Sequence, residues 1–146
     1  MAKKPGPHEV AAALRVSIGL VVRRLRQVRV EGELTLSESS ALARLDRGKP
    51  ATASALARLE QISPQSMGAT LAALEGRGLV DRAADPKDGR RVVLSVTPAG
   101  REVLSSRRAA RTERLAQALS TEFTPAELEH LLAAAPLLER LAQRIE

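Results

Sequence analysis

Three times in this chain a hydroxyl residue stands directly before a proline, at Ser63-Pro64, Thr97-Pro98 and Thr124-Pro125. The hydroxyl can accept a hydrogen bond from a first-turn amide, and the proline takes a position where a missing N–H costs nothing. Helices are therefore expected to begin near residues 64, 98 and 125. Glu127 lies three residues after Thr124 and completes a capping box. Between the first two starts the residue pattern changes. Leu79-Val80-Asp81-Arg82 and Val92-Val93-Leu94-Ser95-Val96 are short β-rich runs, and the stretch 83–90 between them is full of turn residues. This predicts a hairpin with a long polar tip.

Other helices follow from apolar spacing. Leu14, Ile18, Val21, Leu25 and Val28 recur at steps of four and three, which predicts a helix over residues 8–28, ended with the help of Gly32. A second helix is expected over 37–46, with Leu42 and Leu45 inward and Gly48-Lys49-Pro50 as its stop. A third is expected over 52–61, capped by Thr52, with Leu56 and Leu59 inward. The helix over 64–76 buries Met67, Leu71 and Leu74, and Gly78 closes it. The last two are expected over 98–119 and 125–145, the latter with Leu128, Leu131, Leu132, Ala135, Leu138, Leu141 and Ile145 on its apolar stripe.

The fold class is thus mainly α with one small β-hairpin. Three short helices followed by a hairpin are the layout of a winged helix-turn-helix. Residues 34–97 would form that head, and residues 8–30 with 98–146 a helical dimerisation region. Residues 1–7 read as a disordered tail and not as a signal peptide, because arginines interrupt the apolar run that follows. The apolar stripes at the two ends, through Leu14, Ile18, Val21, Leu128, Leu132, Leu138 and Leu141, exceed what a small head can cover. They favour a homodimer over packing of these helices within one chain.

Composition narrows the partner. The chain of 146 residues carries 23 Lys and Arg against 17 Asp and Glu, a net charge of +6. That balance suits a polyanion, either nucleic acid or an acidic membrane surface, or simply a basic soluble protein. With one Phe and no Trp or Tyr, the base-stacking platforms of single-strand and RNA binders are missing. Duplex reading by a helix needs no aromatics. The absence of cysteine removes disulfides, thiol chemistry and Cys-type zinc sites, and fits a cytoplasmic location, on the nucleoid when DNA is bound. His8 and His130 are far apart in sequence, so neither a metal nor any other cofactor is expected. No run approaches the roughly 20 apolar residues of a membrane span, and no membrane partner is expected.

On the helix over 64–76, the face opposite its apolar stripe is mostly small: Gln65, Ala69, Ala72 and Gly76, flanked by Ser66, Gly68 and Ala73. Such a face lets a helix sink into the major groove. Gln65 can pair with adenine, and Ser66 can donate to a base or phosphate. The other reading is an alanine-rich face selected for helix propensity. Ser63 caps the helix and can also help its first-turn amides hold a phosphate. Arg77 either complements the helix dipole or reaches the DNA backbone. Lys87, Arg90 and Arg91 gather at the hairpin tip, where a thin basic loop suits a narrow minor groove. Asp88 is placed to brace Arg90. Arg107, Arg108, Arg111 and Arg114 either attract an anion or form a solvated face or a distant DNA-facing field.

From Leu34 to Gly100 the chain resembles the MarR family of bacterial and archaeal regulators. The resemblance rests on Leu34-Thr35-Leu36, Ala55-Leu56-Ala57, Glu75-Gly76-Arg77-Gly78-Leu79-Val80, Asp85-Pro86-Lys87-Asp88-Gly89-Arg90-Arg91 and Leu94-Ser95-Val96-Thr97-Pro98-Ala99-Gly100. It implies a homodimer built from the first and last two helices, a recognition helix over 64–76, and Arg90 entering the minor groove braced by Asp88. It also implies a repressor released by a small, often phenolic or anionic, effector. Many members carry an arginine where this chain has Ala69, which shifts expected base reading toward Gln65, Ser66, Thr70 and the wing. Without cysteine, the oxidation-sensing branch is excluded.

Rival classes fit the residues less well. An enzyme is disfavoured because no local catalytic pattern is present, and Gly76-Arg77-Gly78 follows a helix where a phosphate loop would follow a strand. A non-specific architectural DNA-binding protein would use the same basic surface without sequence preference.

Overall fold

The computed structural model describes residues 4–27 and 34–145. Among them are six helices and one two-stranded sheet: α1 (Pro7–Arg26), α2 (Leu36–Arg47), α3 (Ala53–Leu59), α4 (Pro64–Gly76), β1 (Val80–Ala84), β2 (Val92–Val96), α5 (Pro98–Glu122) and α6 (Pro125–Ala142). They fall into two compact units, one up to Ala109 and one from Ala110. The chain is mainly α with a β-hairpin wing. No described helix is long and apolar enough to cross a membrane.

Local signals set most helix starts. Ser63 Oγ accepts from Ser66 N at 3.1 Å, and Thr124 Oγ1 from Glu127 N at 3.3 Å, with the Glu127 carboxylate closing the box onto Thr124 N at 2.8 Å. Thr97 Oγ1 accepts from Gly100 N at 3.0 Å. A second capping box joins Thr35 and Glu38 at the start of α2, at the Thr-x-x-Glu spacing that such a box requires. Several bounds move. Pro7 belongs to α1, so only Lys4, Pro5 and Gly6 of the expected tail are described without regular structure, and Val28 and Gly32 lie outside the described residues. α5 runs three residues beyond 119, and α6 stops at Ala142, short of Ile145.

The head core unites Leu34, Ala41, Leu42 and Leu45 with Leu56 and Ala57, Met67, Leu71 and Leu74, Leu79, Val80, Leu94, Val96 and Leu104. One expected core residue is not there. Leu59 is 54% exposed. α3 ends at Leu59, and Gln61 turns the chain with φ +54°, which carries Ile62 against the core in its place.

The hairpin is antiparallel, with Val80 opposite Val96 and Ala84 opposite Val92. β1 starts one residue after Leu79 and reaches Ala84, shortening the tip. On its other edge β2 meets Ala51, through Ala51 N to Leu94 O at 3.1 Å and Leu94 N to Ala51 O at 2.8 Å. The wing is thereby anchored to the segment leading into α3.

Candidate nucleic-acid interface

The outward face of α4 is built as the spacing requires. Met67, Leu71 and Leu74 are fully buried; Gln65, Ser66, Ala69, Ala72 and Ala73 are exposed, and Thr70 is half-buried. The hydroxyls are partly committed. Ser63 Oγ donates to Ser66 Oγ at 2.9 Å, and Thr70 Oγ1 donates to the Ser66 carbonyl at 3.0 Å. Thr70 therefore presents an acceptor and a methyl group to an approaching ligand. A side chain at Gly68 or Gly76 would meet open space. No lysine or arginine lies between Pro64 and Gly76. The one charged residue, Glu75, accepts from Arg82 at 3.2 Å and lies 3.1 Å from its second nitrogen.

At the wing tip two aspartates shape the loop. Asp85 Oδ1 accepts from Lys87 N at 2.9 Å, and Asp88 Oδ1 from Arg90 N at 3.1 Å. Asp85 N also donates to Arg91 O at 2.8 Å and Arg91 N to Asp88 O at 3.0 Å. Asp88 therefore braces Arg90 through its backbone amide and not through its guanidinium. Lys87, Arg90 and Arg91 are exposed, and among the described residues no ion pair ties them to a carboxylate.

Elsewhere four acids are engaged with arginines, Glu75 as above and three more. Glu60 holds Arg44 at 2.7 Å, Glu38 approaches Arg77 at 3.7 Å, and Asp46 holds Arg108 at 3.2 Å and Arg101 at 3.7 Å. Surface pairs of this kind add little stability. They neutralise one another locally, while at the wing tip Lys87, Arg90 and Arg91 outnumber Asp85 and Asp88. Arg77, for which helix end and DNA backbone stood as alternatives, is drawn toward α2 by Glu38.

Of Arg107, Arg108, Arg111 and Arg114 on α5, two have partners elsewhere in the head, and one of them, Arg107, is not on a solvated face. Arg107 is buried and donates from Nη1 to the Leu34 carbonyl at 3.2 Å. Arg108 is the partner of Asp46. Arg111 is half-buried and Arg114 exposed. No sequence signal marks these ties, because their partners lie 73 and 62 residues away. His8 and His130 are exposed, and among the described residues no group of His, Cys, Asp and Glu is arranged to hold a metal.

The stripe expected for dimerisation is uncovered in the single chain. α1 and α6 contain no buried residue. Ile18, Val21, Leu128, Leu132 and Leu141 are exposed, while Leu14 and Leu138 are half-buried.

Comparison with known proteins bears on the fold and the family. The MarR family model matches residues 33–91. An uncharacterized HTH-type transcriptional regulator of Mycobacterium bovis is 37% identical over 129 residues, 88% of this chain and 90% of the relative. The crystal structure of a candidate transcriptional regulator of Pseudomonas aeruginosa superposes with a TM-score of 0.77 at 35% identity, covering 97% of this chain and 100% of that one. A mutant of the S. aureus protein MepR, solved bound to an oligodeoxyribonucleotide, shares the fold at a TM-score of 0.66 and 19% identity, over 92% of this chain and 96% of its own. With the winged helix-turn-helix, the small-faced α4 and the basic wing in place, the chain belongs to the MarR family of DNA-binding transcriptional regulators.

Proposed function

We propose that this regulator is a homodimeric repressor that reads a pseudo-palindromic operator, with α4 in the major groove and the 85–91 wing in the minor groove. The observation that carries the reading is the wing tip: exposed Lys87, Arg90 and Arg91, whose side chains make no ion pair among the described residues, on a loop whose backbone is braced by Asp85 and Asp88. A narrow minor groove has the most negative potential on a duplex, and a loop whose backbone is already braced loses less entropy on presenting a cation to it. Gln65, Ser66, Ala69 and Thr70 would face base edges, Ser63 and the first-turn amides of α4 a phosphate, and Arg77 the backbone beside them.

The dimer would close through Leu14, Ile18, Val21, Leu128, Leu132, Leu138 and Leu141. Its support is that α1 and α6 leave their apolar side chains uncovered, Leu132 at 76%. Two heads on a two-fold axis would bind half-sites about one helical turn, roughly 10 base pairs, apart. A small phenolic or anionic effector that prefers a different head spacing would lower DNA affinity by population shift.

The test is the ratio of affinities for the promoter fragment of the chain's own gene and for a random duplex at one salt concentration. A large ratio with a two-fold footprint supports the reading. A ratio near one assigns the basic surface to non-specific architectural binding instead.

A further inference from the structure

α2 is tied to α5 at both of its ends. Where the chain enters α2, Arg107 Nη1 donates to the Leu34 carbonyl at 3.2 Å from a side chain almost withdrawn from solvent. Near the end of α2, Asp46 Oδ2 accepts from Arg108 Nη2 at 3.2 Å, and Oδ1 lies 3.7 Å from Arg101 Nε. The Asp46 side chain is 19% exposed, against 60% and 61% for the two arginines. Arg101 and Arg108 are two helical turns apart and so share a face of α5.

The same helix α2 carries α4. Ala41, Leu42 and Leu45 share the core with Met67, Leu71 and Leu74, and Glu38 at the start of α2 approaches Arg77 just past the end of α4 at 3.7 Å. α2 thus stands between the recognition helix and α5. The apolar contribution of α5 to this core is small, Leu104 with half-buried Val103. Apolar contact is non-directional and tolerates rotation, whereas hydrogen bonds and ion pairs lose their strength when geometry shifts.

We propose that Asp46 is a positioning residue for DNA binding. With Arg107 and Arg108 it helps to set the direction of α4 relative to α5, beyond the tie at Thr97, and so the distance between the two recognition helices of a dimer. This rests on the dimeric operator reading above. Asp46 touches neither the α4 face nor the wing in this role; its effect is on register.

The test uses the full chain, as wild type, Asp46→Asn and Asp46→Glu. The probes are duplexes recovered by selection from a random library: one with two half-sites, one with a single half-site, and one with its spacer lengthened by about two base pairs. Because Arg101 and Arg108 are well exposed, they rehydrate when Asp46 is neutralised and the fold is retained. Asp46→Asn is expected to weaken binding to the two-site duplex roughly tenfold, to leave single-site affinity within about twofold, and to lose the preference for the native spacer. Asp46→Glu is expected to restore part of that preference. Adding Arg108→Gln to Asp46→Asn is expected to cost nothing further, because the two residues form one tie.

Unchanged two-site affinity and spacer preference in Asp46→Asn would overturn the proposal. An equal loss on the single site would also overturn it, by placing the effect in the head fold or in a direct contact. If the wild type itself shows no preference for two half-sites over one, the dimeric reading fails, and this proposal with it.

Discussion

Thr97 Oγ1 donates a 2.7 Å hydrogen bond to the carbonyl oxygen of Gly78, joining the last residue before α5 to the turn that leaves α4. The same oxygen accepts from Gly100 N at 3.0 Å, and Thr97 N donates to Leu79 O at 3.0 Å. One nearly buried hydroxyl therefore closes the wing at its base. It links the recognition helix, the hairpin and α5 through three strand and helix ends.

Replacing Thr97 by Val keeps shape but removes the hydroxyl. It leaves Gly78 O and Gly100 N without their partner, which is expected to cost about 1–3 kcal/mol. Thr97→Ser, which keeps the hydroxyl, is expected to cost less. Urea unfolding of both variants checks this; equal midpoints would show that the hydroxyl carries no weight.

Gly100 has a steric role. A Cβ there would collide with the Leu79 carbonyl oxygen and sit 2.8 Å from Val96 Cγ2. Backbone cannot step aside cheaply, so Gly100→Ala is expected to destabilise the head by roughly 1–3 kcal/mol or more. A thermal midpoint equal to wild type would mean that α5 can move off the wing.

Gln61 holds φ +54° in the turn between α3 and α4, a conformation that costs a side chain with a Cβ. Gln61→Gly is expected to raise stability by up to about 1 kcal/mol, strain relief outweighing the added freedom of the unfolded chain. Denaturant titration reads the sign directly, and a lower midpoint would refute it.

At the wing, Arg90→Ala is expected to weaken operator binding roughly tenfold and to reduce the slope of log affinity against log salt by about one, because one phosphate-proximal cation is lost. Its fold should be unaffected, since the Asp88 brace acts on the backbone amide. Anisotropy titrations at several salt concentrations measure both quantities. An unchanged slope would remove Arg90 from the interface.

Leu132 is the most exposed large apolar side chain of the described residues, at 76%. Leu132→Glu removes no core contact within the chain, so the protomer should stay folded. It is expected to shift the chain from dimer to monomer by placing charge in a dehydrated interface. Sedimentation at several concentrations gives the answer; a variant that still dimerises would move the interface elsewhere.

How much of this was legible depended on the range of the interaction. Ser63, Thr97 and Thr124 announce their helices because a cap is decided within three residues. The hairpin is visible because turn residues separate two β-rich runs, and the basic tip is visible as composition. Leu59 was misplaced because helical spacing continues past the point where Gln61 breaks the helix, and nothing local in Gln61 signals a left-handed turn. Arg107 reads as one more solvated cation on a basic helix. Only the fold brings the Leu34 carbonyl, 73 residues earlier, to its guanidinium.

By itself, the sequence determined the order of elements, the helix starts, the faces of α2 and α4 and the basic wing, since each follows from hydrogen bonds and periodicities spanning a few residues. The tertiary structure decided which charges cancel and which remain. Glu38, Glu60, Glu75 and Asp46 find arginines that no spacing rule assigns to them, while Asp88 accepts from an amide and keeps its charge. Pairing energy depends on distance in space, and the chain brings distant residues together only by closing its core. The cations of the wing and the uncovered leucines of α6 are what that closure leaves over.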